Sequence, residues 1–149
     1  MKSYLVDSSV ILEALKGNPR AKDILKSLGE NPKFINSVIF SGVLFIFLKN
    51  ITGKSYLSLR GNKKEFLKHR EKISKLYRFL RENFVEVPLT EEISDMAFEL
   101  MTKHALLPND SLILATAKFY GLTLVTLDSD FEEPAKAEEI SLFGGEADG

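Results

Sequence analysis

The 149-residue sequence contains no cysteine and only two histidines, His69 and His104. Without cysteine, neither a disulfide nor a thiolate metal site can form, and two isolated histidines are too few for a typical zinc cluster. Any metal ion would therefore have to be held by oxygen ligands.

Long apolar runs are also absent. The uncharged stretch at residues 34–48 has 15 residues, whereas a membrane-spanning helix needs about 20 apolar residues. The opening residues, MKSYLVDSS, contain one lysine and too short an apolar run for a secretory signal. We therefore expect no membrane segment and place the protein in the cytoplasm.

The composition is that of an ordinary folded protein. Hydrophobic residues make up 44% of the chain and charged residues 28%, unlike the composition of a disordered chain. The length is near that of one typical domain. We expect a single domain over residues 1–143, followed by a disordered acidic tail, GGEADG, at residues 144–149.

Positive charge is concentrated in one part of the chain. Residues 49–81 contain eleven Lys or Arg and two acids, a net charge of +9, although the whole chain carries −1. Such a segment suits a polyanionic partner such as nucleic acid, but a solvated helix face gives the same pattern. Residues 61–84 predict one long amphipathic helix. Its candidate RNA-binding residues are Lys63, Lys64, Lys68, Arg70, Lys72 and Lys75.

The apolar patterns predict an α/β domain. In chain order, the predicted elements are a strand at 4–6, helices at 10–15 and 20–28, a short strand at 33–35, a helix from Ser37 buried on most sides, the basic helix, an extended segment at 84–87, helices at 91–104 and 112–120, and a strand at 122–128. Strands that are apolar throughout are typical of a parallel sheet covered on both faces. We therefore predict a single domain with a mostly parallel central sheet flanked by helices.

Acidic residues stand at the ends of two predicted strands. Asp7 ends YLVD, Asp128 ends LTLVTLD with Asp130 two residues further, and Asp110 begins the helix that leads to the second strand. Ligands of open α/β sheets bind beyond the carboxyl ends of the strands. Each acid taken alone could be a helix cap or a turn residue. Together they would repel one another unless a cation neutralised them, which favours Mg²⁺ or Mn²⁺.

Three segments resemble, in order and spacing, the motifs of PIN domains, the PilT N-terminal fold. They are VDSSVI at residues 6–11, PNDSLILATAKFYG at 108–121 and LVTLDSDF at 124–131. The resemblance implies a Mg²⁺- or Mn²⁺-dependent ribonuclease with a parallel sheet between helices. Many similar proteins are VapC-type toxins of toxin–antitoxin pairs and are dimers. RNA, an antitoxin protein and a second copy of the chain are therefore the implied partners, as a homodimer or a higher homo-oligomer.

The same resemblance implies roles for individual residues. The residues that match the family's catalytic and metal-binding acids are Asp7, Asp110 and Asp128, and Asp130 matches an accessory metal-binding acid. The residues that match small hydroxyl side chains supporting the site are Ser8, Ser9 and Thr126.

One family ligand is missing. The glutamate usually found in the helix after the second strand falls on Gly42, in INSVIFSGVLFIFL, and no acid occurs between residues 31 and 64. Glycine inside a helix costs about 1 kcal/mol relative to alanine, so helix propensity does not explain it. Close backbone packing is the other explanation. Two hypotheses follow: a nuclease of weakened activity, or a binding protein that keeps the fold without the chemistry.

Two other segments, residues 40–47 and YLVD, also allow alternative interpretations. The phenylalanine-rich residues 40–47, with the basic helix, could form a groove for the antitoxin or simply fill the core. YLVD also fits phosphoryl transfer through an aspartyl intermediate, as in haloacid-dehalogenase-like enzymes. That chemistry requires an acid two residues on, where Ser9 stands.

Overall fold

The computed structural model describes residues 2–144, in which five short strands form one parallel sheet. The strands are β1 (Tyr4–Val6), β2 (Lys33–Ile35), β3 (Val85–Glu86), β4 (Thr123–Val125) and β5 (Leu142–Phe143). Their spatial order is β3-β2-β1-β4-β5, and every neighbouring pair is parallel. Leu5 and Val6 at the centre are fully buried, as expected of a strand covered on both faces. The predicted α/β fold is confirmed.

Helices cover the sheet. They are α1 (Ser8–Leu15), α2 (Pro19–Ser27), α3 (Ser37–Thr52), α4 (Tyr56–Leu59), α5 (Lys63–Lys68), α6 (Arg70–Asn83), α7 (Glu91–His104), α8 (Pro108–Tyr120) and α9 (Glu132–Ala137), with a 3₁₀ turn at Ser129–Phe131. The core between helices and sheet is apolar, and α8 contributes an uninterrupted buried run from Ile113 to Ala117.

The register of the central strands sets the position of the acids. Val6 of β1 lies opposite Val125 of β4, and the Asp7 amide donates to the Val125 carbonyl at 2.9 Å. The residues that follow these strands, Asp7 and Thr126, therefore emerge side by side at one edge of the sheet.

Strand β4 is shorter than predicted, and β5 was not predicted. The chain leaves the sheet after Val125 because the next residues turn toward α1, where the Leu127 amide donates to the Ser9 hydroxyl. β5 has only two residues and lies just before the Gly-rich end, so it lacks a recognisable pattern. Gly144, at the start of the predicted tail, is buried and its carbonyl accepts from the Arg20 side chain at 2.7 Å. Residues 145–149 lie outside the described part.

The prediction of one long basic helix is wrong. The helix ends at Lys68, and His69, with φ −106° and ψ 11°, separates α5 from α6. On α6, Leu76 and Leu80 are buried, whereas Phe66 and Leu67 on α5 are 41% and 70% exposed. The apolar stripe that suggested one helix therefore continues in sequence but does not pack on one surface.

Helix α3 is also less buried than predicted. Only Ile39 and Val43 are fully enclosed on it, while Phe45 and Ile46 are exposed. Phe40 and Phe47 pack against the core. Among the residues that the structure describes, no helix is both long enough and apolar enough to cross a membrane.

Candidate active site

Asp7 is the most buried of the four acids of the site. It is 5% exposed, and its Oδ2 accepts hydrogen bonds from the Ser9 and Thr126 hydroxyls, each at 2.9 Å. It precedes α1, yet its side chain makes no capping bond to that helix. Asp7 thus holds the N-cap position of α1, but side-chain capping does not account for its carboxylate. Neither hydroxyl donates to its other oxygen, Oδ1.

The two hydroxyls also hold the segment that carries the next acid. The Thr126 Oγ1 accepts from the Asp128 amide at 3.0 Å, and the Ser9 Oγ accepts from the Leu127 amide at 3.1 Å. Ser9 and Thr126 thus tie the ends of β1 and β4 together. Local sequence does not reveal this network, because Asp7 and Thr126 are 119 residues apart.

Burial raises the pKa of Asp7. Desolvation is the largest cause, and the nearby charge of Asp128 adds to it. Hydrogen bonds from Ser9, from Thr126 and from the Ser8 backbone act in the opposite direction, because they stabilise the carboxylate. The hydroxyl bonds therefore offset part of the cost of burying this charge.

Asp110 lies in the first turn of α8. The helix-cap alternative for Asp110 is wrong, because α8 begins at Pro108 and its N-cap is Leu107. Asp110 is half-buried, and its pKa is raised first by desolvation and then by the charges of the other acids, Asp128, Asp7 and Asp130. The structure therefore brings all four predicted acids to one edge of the sheet.

Asp128 and Asp130 are more accessible. The Asp128 Oδ1 accepts from the Asp130 amide at 2.9 Å and caps the 3₁₀ turn. A role as a turn residue thus explains the hydrogen bond to one oxygen of Asp128 and the start of the 3₁₀ turn. It does not account for the electrostatic proximity of Asp128 to both Asp7 and Asp110.

The donor set suits a hard divalent cation, since it consists of carboxylate and hydroxyl oxygens. However, within residues 2–144 no three His, Asp or Glu side chains come close enough to hold an ion in their present positions. The acids lie at one edge of the sheet, where desolvation and then their mutual repulsion raise the pKa of Asp7 and Asp110. Binding an ion would require their carboxylates to move closer together.

Gly42 lies beside this edge and is not forced by packing. A Cβ added at Gly42 would meet only the Ser8 side chain, with Oγ at 3.8 Å and Cβ at 3.9 Å, which are ordinary contact distances. A pocket of about 230 Å³ adjoins it, lined in part by Ser41, Phe45 and Asn109. The close-packing explanation for this glycine is therefore unsupported. The nearest side chain to an added Cβ at position 42 is that of Ser8, which follows Asp7 in the sequence.

The predicted RNA-binding residues are all exposed. Those on α5 are Lys63, Lys64 and Lys68, and those on α6 are Arg70, Lys72 and Lys75. Helix α6 packs beside α3 through an edge-to-face contact of Tyr77 with Phe40, and the Arg81 guanidinium lies 4.8 Å from the Phe40 ring centroid.

Sequence reasoning missed a charged cluster behind the site. The Glu138 side chain is 6% exposed and accepts from Lys118 at 2.7 Å and Lys103 at 2.9 Å, with His104 Nε2 at 2.7 Å. Hydrogen bonds from Lys118, Lys103 and His104 lower the pKa of Glu138 to about 2. The cluster joins α7 and α8 to the segment after α9. No sequence motif predicts this cluster, because Glu138 is distant in sequence from Lys103, His104 and Lys118.

This geometry agrees with the comparison to known proteins. The PIN domain family matches residues 4–137, and the chain belongs to that family.

Two curated relatives come from Methanocaldococcus jannaschii. Ribonuclease VapC2 is 31% identical over 142 residues, covering 91% of each chain. Ribonuclease VapC6 is 34% identical over 144 residues, covering 88% of this chain and 92% of the relative. Among solved structures, VapBC2 from Rickettsia felis bound to a promoter DNA fragment aligns with a TM-score of 0.66 at 20% identity, covering 94% and 96% of the two chains. That structural likeness supports the fold.

Proposed function

We propose that this protein is a metal-dependent endoribonuclease that hydrolyses RNA phosphodiester bonds, acting as the toxin of a toxin–antitoxin pair. The observation that carries the proposal is the convergence of Asp7, Asp110 and Asp128 at the carboxyl edge of the sheet. Full-length similarity to two proteins named as VapC ribonucleases supports the same reaction.

Mg²⁺ or Mn²⁺ is the proposed cofactor, held by Asp7, Asp110 and Asp128, with Asp130 as an accessory ligand. Such an ion supplies positive charge to the phosphate oxygens and makes a nearby water more acidic. The protein contributes the orientation of its ligands. Ser9 and Thr126 both donate to Oδ2 of Asp7, which orients its carboxylate. Thr126 also fixes the Asp128 backbone.

The basic surface of α5 and α6 is proposed to contact the RNA backbone. Its six exposed cations suit phosphate contacts, which position a strand without reading its sequence. Binding through them should weaken as salt increases. Replacing both Lys72 and Lys75 by Gln should flatten the salt dependence. Replacing Lys22 and Lys26 of α2, which are also exposed, is the matched control.

A nuclease assay tests the central proposal. RNA is incubated with the protein and Mg²⁺ or Mn²⁺, with and without a chelator, and with the variants Asp7→Asn and Asp110→Asn. We expect cleavage that requires the ion and that falls at least a hundredfold in either variant, the order of loss when a transition-state interaction is removed. Cleavage that persists in the chelator, or in both variants, would refute this assignment.

An apolar surface next to the basic helices is the proposed antitoxin site. It consists of Phe45, Ile46, Tyr56, Leu57, Phe66 and Leu67, which are between 39% and 85% exposed. The Phe45 and Tyr56 rings meet edge to face at 4.9 Å, and Lys49 lies over Tyr56. Apolar side chains beside cations suit an amphipathic helix with acidic flanks. Several similar folds come from toxin–antitoxin complexes.

Mutation of this surface tests the antitoxin site. Leu57→Asp should abolish copurification with a candidate antitoxin, whereas Phe98→Asp, at an exposed apolar residue on α7, should leave it intact. Equal copurification of both variants would contradict the site. The homodimer and the cytoplasmic location stay predictions.

The second candidate function is a PIN-fold binding protein without catalysis. Gly42 favours it, because one expected carboxylate is missing and the space for it is open. RNA binding without ion-dependent cleavage in the same assay would support this alternative.

A further inference from the structure

A cleft of about 670 Å³ opens directly beside the candidate active site. One wall is the turn between α7 and α8, from Lys103 to Leu107, and the other is formed by the 3₁₀ turn and α9. Asp110 and Asp130, two acids of the candidate active site, also line it. This volume is in the range of roughly 300–1,000 Å³ found for small-molecule sites.

The lining of this cleft differs from that of the carboxylate edge. Its apolar part includes Leu106, Leu107, Pro134 and Ala137, and Leu107 is 74% exposed. Glu133 also lines it and is exposed. Glu133 has no salt-bridge partner in the described part of the chain. The lining of the cleft thus combines apolar side chains with a carboxylate that forms no salt bridge within residues 2–144.

The far wall is rigid. Lys103 and His104, both part of the lining, are held by the buried Glu138 carboxylate. Ala105 between this wall and Leu106 adopts a left-handed conformation, with φ 55°, which ends α7 abruptly and turns the chain along the cleft. The shape of the cleft is thus set by fixed contacts on the α7–α8 side.

We propose that this cleft binds the base of the nucleotide adjacent to the scissile phosphate, and that it prefers bases bearing an exocyclic amino group. The proposal rests on the proposed ribonuclease function. A base presents flat apolar faces, which suit Leu107, Pro134 and Ala137. Glu133 can accept a hydrogen bond from the amino group of cytosine, whereas uracil presents a carbonyl at the same position, which a carboxylate repels.

A phosphate group is a poorer occupant of the cleft. Asp110, Asp130 and Glu133 place negative charge on its lining, and the adjacent Lys103 and His104 side chains are already paired with Glu138. The phosphate belongs at the carboxylate edge, where an ion neutralises the acids. The cleft then receives the next base along the strand.

The first test compares substrates that differ at one base. Short RNAs carry cytosine, uracil or no base at each position flanking the cleavage site, and kcat/KM is measured with Mn²⁺. At one of these positions, we expect removal of the base to lower kcat/KM about tenfold, the order of a base contact. Cytosine should be preferred over uracil there by about fivefold.

Matched variants connect this effect to the cleft. Ala137→Phe fills the cleft and should lower kcat/KM about tenfold on the cytosine RNA, with little effect on the RNA lacking that base. Ser94→Phe, at an exposed position of α7 outside the lining, should leave both unchanged. Glu133→Gln should remove the preference for cytosine, because an amide can pair with either base. Glu132→Gln, the neighbouring carboxylate outside the lining, should keep it.

A binding measurement separates the cleft from catalysis. Cytidine 5′-monophosphate should shift the amide resonances of residues 103–107 in the native chain but not in Ala137→Phe. If native protein cleaves RNA while base removal, Ala137→Phe and the nucleotide titration all have no effect, the cleft proposal is wrong and the ribonuclease stands. If no RNA is cleaved, the ribonuclease proposal fails, and the nucleotide titration alone decides for or against the cleft.

Discussion

Substitution of Gly42 gives the most informative perturbation of this molecule. The glycine lies within α3, and the nearest atom to an added Cβ is Ser8 Oγ at 3.8 Å, so no steric cost opposes a side chain. Replacing a helical glycine by alanine then gains about 1 kcal/mol in free energy of unfolding. For a chain of this length that gain raises Tm by about 3 °C.

Glutamine and glutamate at position 42 separate size from charge. The two side chains have similar helix propensity, so Gly42→Gln should be about as stable as Gly42→Ala. Without a divalent ion, Gly42→Glu should be less stable than Gly42→Gln, because its carboxylate joins Asp7 and Asp110 at one edge. With an ion bound, the order should reverse, and Mn²⁺ should bind Gly42→Glu at least about tenfold more tightly, which is about 1.4 kcal/mol.

Two measurements decide this reasoning. Thermal unfolding followed by circular dichroism gives the stability order with and without Mn²⁺, and calorimetry gives the affinities. If Gly42→Ala is destabilised, the space beside Ser8 is not open and the packing argument fails. If Mn²⁺ binds Gly42→Glu and Gly42→Gln equally, position 42 does not face the metal site. A gain of cleavage in Gly42→Glu alone would identify the native chain as an attenuated nuclease.

Three other variants test the site and its supports. Folding raises the pKa of Asp7, so the charged form of Asp7 lowers stability as pH rises through the pKa of the folded state. Asp7→Asn should therefore unfold at a higher temperature than native protein at pH 7. This difference should disappear in acid, where native Asp7 is protonated. Glu138→Gln should lose about 1–2 kcal/mol at pH 7, less than the full shift implies because Lys103 is largely exposed. The pKa of Glu138 is about 2 in the native protein, against an ordinary value of 4.5. The free energies of unfolding of native protein and Glu138→Gln, measured in urea, should therefore converge as pH falls from about 4.5 toward 2. A difference that stays constant with pH would contradict the ion-pair origin. Asn36→Ala should lower the free energy of unfolding in urea by about 2–3 kcal/mol. The buried Asn36 side chain caps α3 by accepting from the Ile39 backbone N–H, and it donates to the Thr116 hydroxyl. A loss below about 0.5 kcal/mol would show that water replaces the Asn36 side chain.

The sequence predicted the features that depend on local order. Strand β1 and the helix at 91–104 were found where expected, because apolar runs and the Thr90 cap define them. Asp7 and Asp128 can approach each other only if their strands are neighbours, which a residue pattern does not establish and which the parallel pairing of β1 with β4 shows.

The start of α8 at Pro108 was missed although its cause is local, since proline is favoured at the first position of a helix. The other errors arise from tertiary packing, because the break at His69 and the exposure of Phe45 depend on which surfaces meet in three dimensions. A residue pattern records which side chains are apolar but not whether a partner surface exists for them. The Glu138 cluster was missed for the same reason, since Lys103, Lys118 and Glu138 come together only through the packing of α7 against α8.

The hydroxyl network around Asp7 has a consequence for biosynthesis. Its two halves, Ser9 with Asp7 and Thr126 with Asp128, are made almost the whole chain length apart, since Asp7 and Thr126 are separated by 119 residues. Contacts of such long range form late in folding, after the local helices. A chain still growing on the ribosome therefore carries Asp7 with Ser9 but without Thr126, the other hydroxyl that orients it. A protein that cuts RNA would thus remain harmless to its own message until synthesis is nearly complete.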